Sequence, residues 1–132
     1  MKFLIVEDDA VSRKVLLEYL SSLGQCDIAE DGQKALDIFK TALRSKSPYD
    51  LILMDIMMPI MDGQEALLKI RELEKQHDVE DSHRVKVIMT TALGNPKNVI
   101  QAFYKGGAMS YLVKPIERAR LYEELRKIGF KV

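Results

Sequence analysis

Six polar side chains that could do chemistry fall into four groups along the chain: Glu7 with Asp8, Asp55 alone, Thr90 with Thr91, and Lys114. Asp55 stands out by its surroundings. It lies in LILMDIMMPIMDG, residues 51–63, among nine Leu, Ile and Met residues. A carboxylate in such a run is costly unless something compensates its charge. Three carboxylates gathered into one pocket repel, and at least one pKa rises unless a cation is present. A hard divalent ion relieves this: Mg²⁺ takes six oxygens, typically from one or two carboxylates, water and phosphate. An ammonium nearby could bind a phosphoryl oxygen. Metal, nucleophilic carboxylate, hydroxyl and lysine together are what phosphoryl transfer to an aspartate requires.

Those groups are far apart in sequence, so regular elements must bring them together. Short β-type runs alternate with longer helical ones. FLIV (3–6), CDIA (26–29), LILM (51–54), KVIMT (86–90) and SYLV (110–113) are four or five residues long. Between them apolar residues recur at helical spacing: Val11, Val15, Leu16, Tyr19, Leu20 and Leu23; Ala35, Leu36, Phe39 and Leu43; Ala66, Leu67, Ile70 and Leu73; Val99, Ile100 and Phe103; Leu121, Leu125 and Ile128. Asp9 and Asp31 are candidate helix caps, Gly24 follows the first helix, and Pro96 can open the fourth. Five strands alternating with five helices predict an α/β domain whose parallel sheet is covered on both faces. The more polar CDIA suits an edge. In such a sheet ligands bind at the carboxyl ends of the strands, near the switch in strand order. Strand one ends in Glu7 and Asp8, strand three in Asp55, strand four in Thr90 and Thr91, and strand five in Lys114. The expected site is that edge.

Bulk properties exclude other classes. The 132 residues suit one domain with a real core. Twenty basic and twenty acidic side chains cancel to a net charge of zero. A nucleic-acid binder would show a basic excess or stripe. MKFLIVEDD is too short an apolar run for a signal peptide or a membrane span, so a cytoplasmic protein without a membrane partner is expected. The single cysteine, Cys26, cannot form an internal disulfide and reads as a small buried residue. The charge-dense segment 71–86, which holds His77 and His83, reads as a solvated helix end followed by a mobile loop. A metal pair or a phosphodonor histidine is its sharper alternative.

FLIVEDDAVSR, DLILMDIMMPIMDG, VIMTTA and GGAMSYLVKP, taken in order, resemble the receiver domain of two-component response regulators, with the likeness running from about Lys2 to Lys127. The resemblance implies a flavodoxin-like (βα)5 fold, doubly wound, with five parallel strands in the order 2-1-3-4-5. It implies that Asp55 is the phosphoacceptor. Asp8 and Asp55 would bind Mg²⁺ directly with the backbone carbonyl of Met57, and Glu7 would act through water. Thr91, followed by the small Ala92, is similar to the switch hydroxyl that binds the phosphoryl group together with Lys114 and the Met57 backbone. Pro115 follows a peptide bond that is often cis in this family, and Tyr111 matches an aromatic switch position. Partners would be a sensor histidine kinase or a histidine phosphotransfer protein upstream and an effector protein downstream. The signalling face would combine the fourth helix, fifth strand and fifth helix, including Phe103, Tyr104 and Met109. The domain would span 1–132 with no output domain, and would be no enzyme beyond its own phosphorylation and dephosphorylation.

Each assignment has a rival. The acidic pair could be shifted by one, since Asp9 is also acidic, although capping explains Asp9. Thr90 could replace Thr91, but only Thr91 precedes Ala92. Tyr111 could be a half-buried strand aromatic. Asp62 and Gly63 read as a cap and turn. Met57 and Leu93, two residues after Asp55 and Thr91, are apolar and cannot orient a hydrolytic water, which implies slow self-dephosphorylation. Three other functions use overlapping residues. A Mg²⁺-dependent phosphatase of the haloacid-dehalogenase type would need an Asp-x-Asp pair after strand one, where this chain has Glu7-Asp8-Asp9. A phosphate-independent binding module would be free to lose Asp55, Thr91 and Lys114. A flavodoxin-like cofactor carrier would place its phosphate against an acidic cluster.

Overall fold

The computed structural model describes residues 1–92 and 107–132. Its elements run β1 (Lys2–Val6), α1 (Ala10–Ser21), β2 (Gln25–Ala29), α2 (Gly32–Arg44), β3 (Leu51–Asp55), α3 (Gly63–Gln76), β4 (Lys86–Thr91), β5 (Ser110–Val113) and α4 (Arg118–Lys127), with a short 3₁₀ turn at Asp81–His83. The five strands form one parallel sheet in the order β2-β1-β3-β4-β5, as the resemblance implies. The expected fourth helix, with Pro96, Val99, Ile100, Phe103 and Tyr104, lies outside the described residues, as does Leu93.

Strand pleating explains why the central strands are apolar throughout. Successive side chains point to opposite faces, so a strand covered on both sides must be apolar at every position. Leu4, Val6, Ile52, Met54, Val87 and Met89 pack on one face with Ala35 and Phe39 of α2 and Leu67 and Ile70 of α3. Phe3, Ile5, Leu51, Leu53 and Ile88 pack on the other with Leu16 and Leu20 of α1 and Leu121 and Leu125 of α4. Burying each such side chain contributes roughly 1.5–3 kcal/mol. β2 is one of the two edge strands, as its polarity suggests.

Three helices begin on aspartate caps. Asp9 accepts from the Ser12 N–H, Asp31 from Lys34 and Asp62 from Glu65, each at 2.9 Å, which satisfies an amide that the first helical turn leaves unpaired. The Ser12 N–H, with the Ser12 hydroxyl, also holds the Asp9 carboxyl below its usual range. Among the described residues, no helix is long and apolar enough to cross a membrane.

Two expectations need correction. Cys26 is half-buried rather than buried, because it sits on an edge strand. Residues 71–86 are more than a solvated end and a loop. Glu74 is buried, accepts from Arg71 Nη1 and from the Val85 N–H, both at 2.7 Å, and Arg71 also donates to the carbonyls of Val85 and Gly107. The pair thus ties α3 to the start of β4 and to the approach to β5. Both histidines lie on the surface; His77 Nδ1 contacts the Leu73 carbonyl at 2.9 Å and His83 Nδ1 lies 3.6 Å from Glu80.

The loop from β3 to α3 holds local strain. The Met61 N–H bonds the Pro59 carbonyl at 2.7 Å, closing a three-residue turn around Ile60 at φ +70°. A β-branched residue there is a steric outlier, and Ile60 is 82% exposed, so packing does not explain its presence. Removing its Cβ relieves roughly 1–2 kcal/mol of strain, partly offset by glycine's greater freedom in the unfolded chain, about 0.5–1 kcal/mol. Ile60→Gly is therefore expected to be slightly more stable than the parent, which a shift of the urea midpoint to higher concentration would show.

Candidate functional site

The carboxyl ends of β1, β3 and β5 converge. One carboxylate oxygen from each of Glu7, Asp8 and Asp55 lies within 4.8 Å of the others. Glu7 is wholly buried, Asp55 is 5% exposed, and Asp8 faces solvent. Lys114 reaches in from β5, with Nζ 2.7 Å from Glu7 Oε2 and 3.3 Å from Asp55 Oδ2. Both contacts are ion pairs, and the longer is also a hydrogen bond.

Backbone contacts fix these strand ends. The Glu7 N–H donates to the Ala29 carbonyl at 3.0 Å, Ile56 to Thr90 at 2.9 Å, and Lys114 to Thr91 at 2.7 Å. They extend the ladders past the last strand residues, with Glu7, Asp55 and Thr90 level, Thr91 one step further out and Lys114 two steps further out. Arg13 of α1 donates from Nη1 to the carbonyls of Glu7 and Asp8, at 3.1 and 3.0 Å, holding the β1–α1 turn. The SR of FLIVEDDAVSR contains this arginine, but its role was not legible until the helix turned it back over the acidic pair. The peptide bond from Lys114 to Pro115 is cis.

The structure places the members of two rival pairs differently. Asp8 contributes to the acidic cluster, while Asp9 caps α1, so the acidic pair is Glu7 with Asp8. Thr91 ends β4, buried, beside the exposed Ala92; Thr90 lies level with Asp55 in the ladder. Met57 is 69% exposed, and its N–H donates to Asp55 Oδ1 at 3.3 Å. Tyr111 is a partly exposed residue of the edge strand β5, flanked by exposed Met109 and Val113.

The electrostatics follow from burial. Glu7 has its pKa raised, first by burial and further by the Asp55 charge, with the Lys114 ammonium opposing both. Burial disfavours the Lys114 charge, yet contact with Glu7 and the charge of Asp55 outweigh it and raise its pKa above the usual lysine value. Lys114 is therefore a fixed cation. One ammonium shared among three carboxylates leaves the site net negative. Oxygen donors from Glu7, Asp8 and Asp55, with hard anionic character and an excess of negative charge, fit a divalent hard cation such as Mg²⁺.

Comparison with known proteins gives one family. The model of the response regulator receiver domain matches residues 3–126. Hybrid signal transduction histidine kinase I of Dictyostelium discoideum is 37% identical over 123 residues, covering 92% of this chain but only 7% of the kinase. CheY of Borrelia burgdorferi, solved in a complex with CheX, BeF3 and Mg²⁺, is 32% identical with a TM-score of 0.83, covering 99% of this chain and 90% of that one. A similar structure is the co-crystal of the Saccharomyces cerevisiae histidine phosphotransfer signaling protein Ypd1 with the receiver domain of Ssk1; it is 27% identical with a TM-score of 0.81, covering 98% and 88%. The chain belongs to the family of response regulator receiver domains.

Proposed function

We propose that the chain takes a phosphoryl group onto Asp55 from a histidine kinase or a histidine phosphotransfer protein, and passes the signal to a partner through a change of shape. The observation that carries this is the placement of a nearly buried carboxylate, Asp55, between a fixed ammonium and two further acids at the strand ends. A carboxylate oxygen of Asp55 attacks phosphorus, the new P–O bond forms, and the P–N bond to the donor imidazole breaks. Asp55 then carries an acyl phosphate, and the imidazole leaves with a proton. Lys114 neutralises charge on the phosphoryl oxygens, Thr91 donates its hydroxyl to one of them, and the backbone at Met57 and Ala92 lines the phosphoryl position. Asp8, Asp55 and the Met57 carbonyl would hold Mg²⁺, with Glu7 acting through water. The ion supplies neutralisation of the incoming phosphate charge.

The phosphoryl group adds roughly −1.5 to −2 charge, by analogy with phosphorylated hydroxyl residues. Drawing in Thr91 and Lys114 shifts a two-state equilibrium of the region 91–115. Tyr111 and Val113, exposed on β5, and the exposed Met109 just before it lie on the face that changes, with the Tyr111 ring reporting the state. On this reading the protein is a cytoplasmic signalling domain rather than an enzyme with turnover on an external substrate, acting without nucleic-acid contact. The Dictyostelium relative pairs such a domain with a histidine kinase and the yeast co-crystal pairs one with a phosphotransfer protein, which supports that class of upstream partner.

Intact mass after incubation with acetyl phosphate tests the reading. A single phosphoryl adduct is expected with Mg²⁺ and none with a chelator. Once donor is removed the adduct should persist, since the apolar Met57 side chain cannot orient an attacking water. Multiple turnover on a phosphate ester would replace this reading with the phosphatase one. No adduct in a folded, Mg²⁺-binding protein would point to a phosphate-independent module.

A further inference from the structure

Thr90 carries a hydroxyl that the fold buries, at 1% exposure, and that has no hydrogen-bond partner among the described residues. A buried, unpartnered hydroxyl destabilises the state that contains it. Strand register shows what lies beside it. Thr90 pairs with Asp55 of β3 on one side and Leu112 of β5 on the other. Paired residues of neighbouring strands share a face. Ile5, Leu53 and Ile88 lie on the α1–α4 face, so the residues two further on, Glu7, Asp55 and Thr90, form the next row on that face. Lys114, two beyond Leu112 and bonded through its N–H to the Thr91 carbonyl, begins on the same face from the far side of β4. Its side chain reaches Asp55 on β3 and Glu7 beyond β1. By this order and register its path passes the end of β4, whose residue in that row is Thr90.

The ammonium now rests at the far end of that reach, closer to Glu7 than to Asp55. We propose that Thr90 is a positioning residue for Lys114, its hydroxyl becoming the lysine's partner when a phosphoryl group on Asp55 draws the ammonium back from Glu7. The ammonium has three N–H donors and the hydroxyl has free lone pairs. One N–H goes to a phosphoryl oxygen and a second to Thr90 Oγ1. The hydroxyl, unpaired in the resting state and paired in the phosphorylated one, then biases the equilibrium toward the latter. This inference rests on the phosphoacceptor reading of Asp55.

Beryllofluoride with Mg²⁺, titrated into the full chain and followed by NMR, is the test. Thr90→Val keeps the shape of the side chain and removes the hydroxyl; Thr90→Ser keeps the hydroxyl. The valine variant should bind beryllofluoride on the order of tenfold more weakly, the worth of one charge-assisted hydrogen bond. Its ligand-free melting temperature should be no lower than that of the parent, and serine should recover the affinity. A purely structural threonine would move the melting temperature and leave the affinity alone. A valine variant that binds as tightly as the parent overturns the role of Thr90 while the phosphoacceptor reading stands. A parent chain that does not bind beryllofluoride overturns both.

Discussion

Asp55→Asn is expected to take up no phosphoryl group from acetyl phosphate, at any Mg²⁺ concentration, while folding as the parent does. The amide is nearly isosteric, and its oxygen can still accept from the Met57 N–H that now bonds Asp55 Oδ1. It is a far poorer nucleophile toward phosphorus than a carboxylate, so the loss is of the whole reaction and not a fraction of it. Two electrostatic changes accompany the substitution and oppose each other. Repulsion from Glu7 and Asp8 within the acidic group falls, and the Lys114 contact at 3.3 Å weakens. Their difference should stay within about 1 kcal/mol, since Lys114 retains Glu7 at 2.7 Å. Intact mass and a urea midpoint, taken on the same sample, check both halves. A residual adduct would transfer the nucleophile to another carboxylate, Asp8 being the exposed neighbour.

The reach of the sequence is explained by how each feature is encoded. Strand ends were legible because a parallel strand buried on both faces is apolar at every position, so the first polar residue after FLIV or LILM marks the strand's end. Lys114 was read the same way after SYLV, although β5 is an edge strand with Tyr111 and Val113 exposed. That places Glu7, Asp55 and Lys114 with no knowledge of contacts. Adjacent residues of one type were harder. Asp8 and Asp9 differ only in that Asp9 turns to the Ser12 N–H. Thr90 and Thr91 differ in pleat, which gives one a place beside Asp55 and sets the other one step further out.

Long-range polar contacts were not legible at all. Arg71 and Glu74 look like one more solvated charge pair, since nothing local records that Val85 and Gly107 will lie against them. Cys26 misled because it was read by residue type alone, although CDIA, the strand that carries it, already read as an edge.

Gly63→Ala separates helix propensity from packing because the two predict opposite signs. Gly63 is the first residue of α3, and alanine is up to about 1 kcal/mol the better helix former. A Cβ at this position, however, would lie 2.3 Å from the Asp55 carbonyl oxygen, 2.9 Å from Met89 Cε and 3.0 Å from Ile56 Cα. The methionine tip can move aside; the other two atoms are backbone. They are held on both sides, since the Ile56 N–H bonds the Thr90 carbonyl at 2.9 Å and the Gly63 N–H bonds the Ile56 carbonyl at 2.8 Å. Relief must come from moving the start of α3 or the end of β3, and overpacking of this kind costs about 1–3 kcal/mol. At roughly 2–8 °C per kcal/mol, that is a loss of several degrees in melting temperature. Adding Met89→Ala should not restore it, because the closest clash is with a carbonyl that side-chain truncation leaves in place. Since that carbonyl belongs to Asp55, the same variant should also be phosphorylated more slowly by acetyl phosphate. A variant that melts higher than the parent would show that the β3–α3 junction yields freely, and that Asp55 is held by its ladder to β4 and its contact with Lys114 alone.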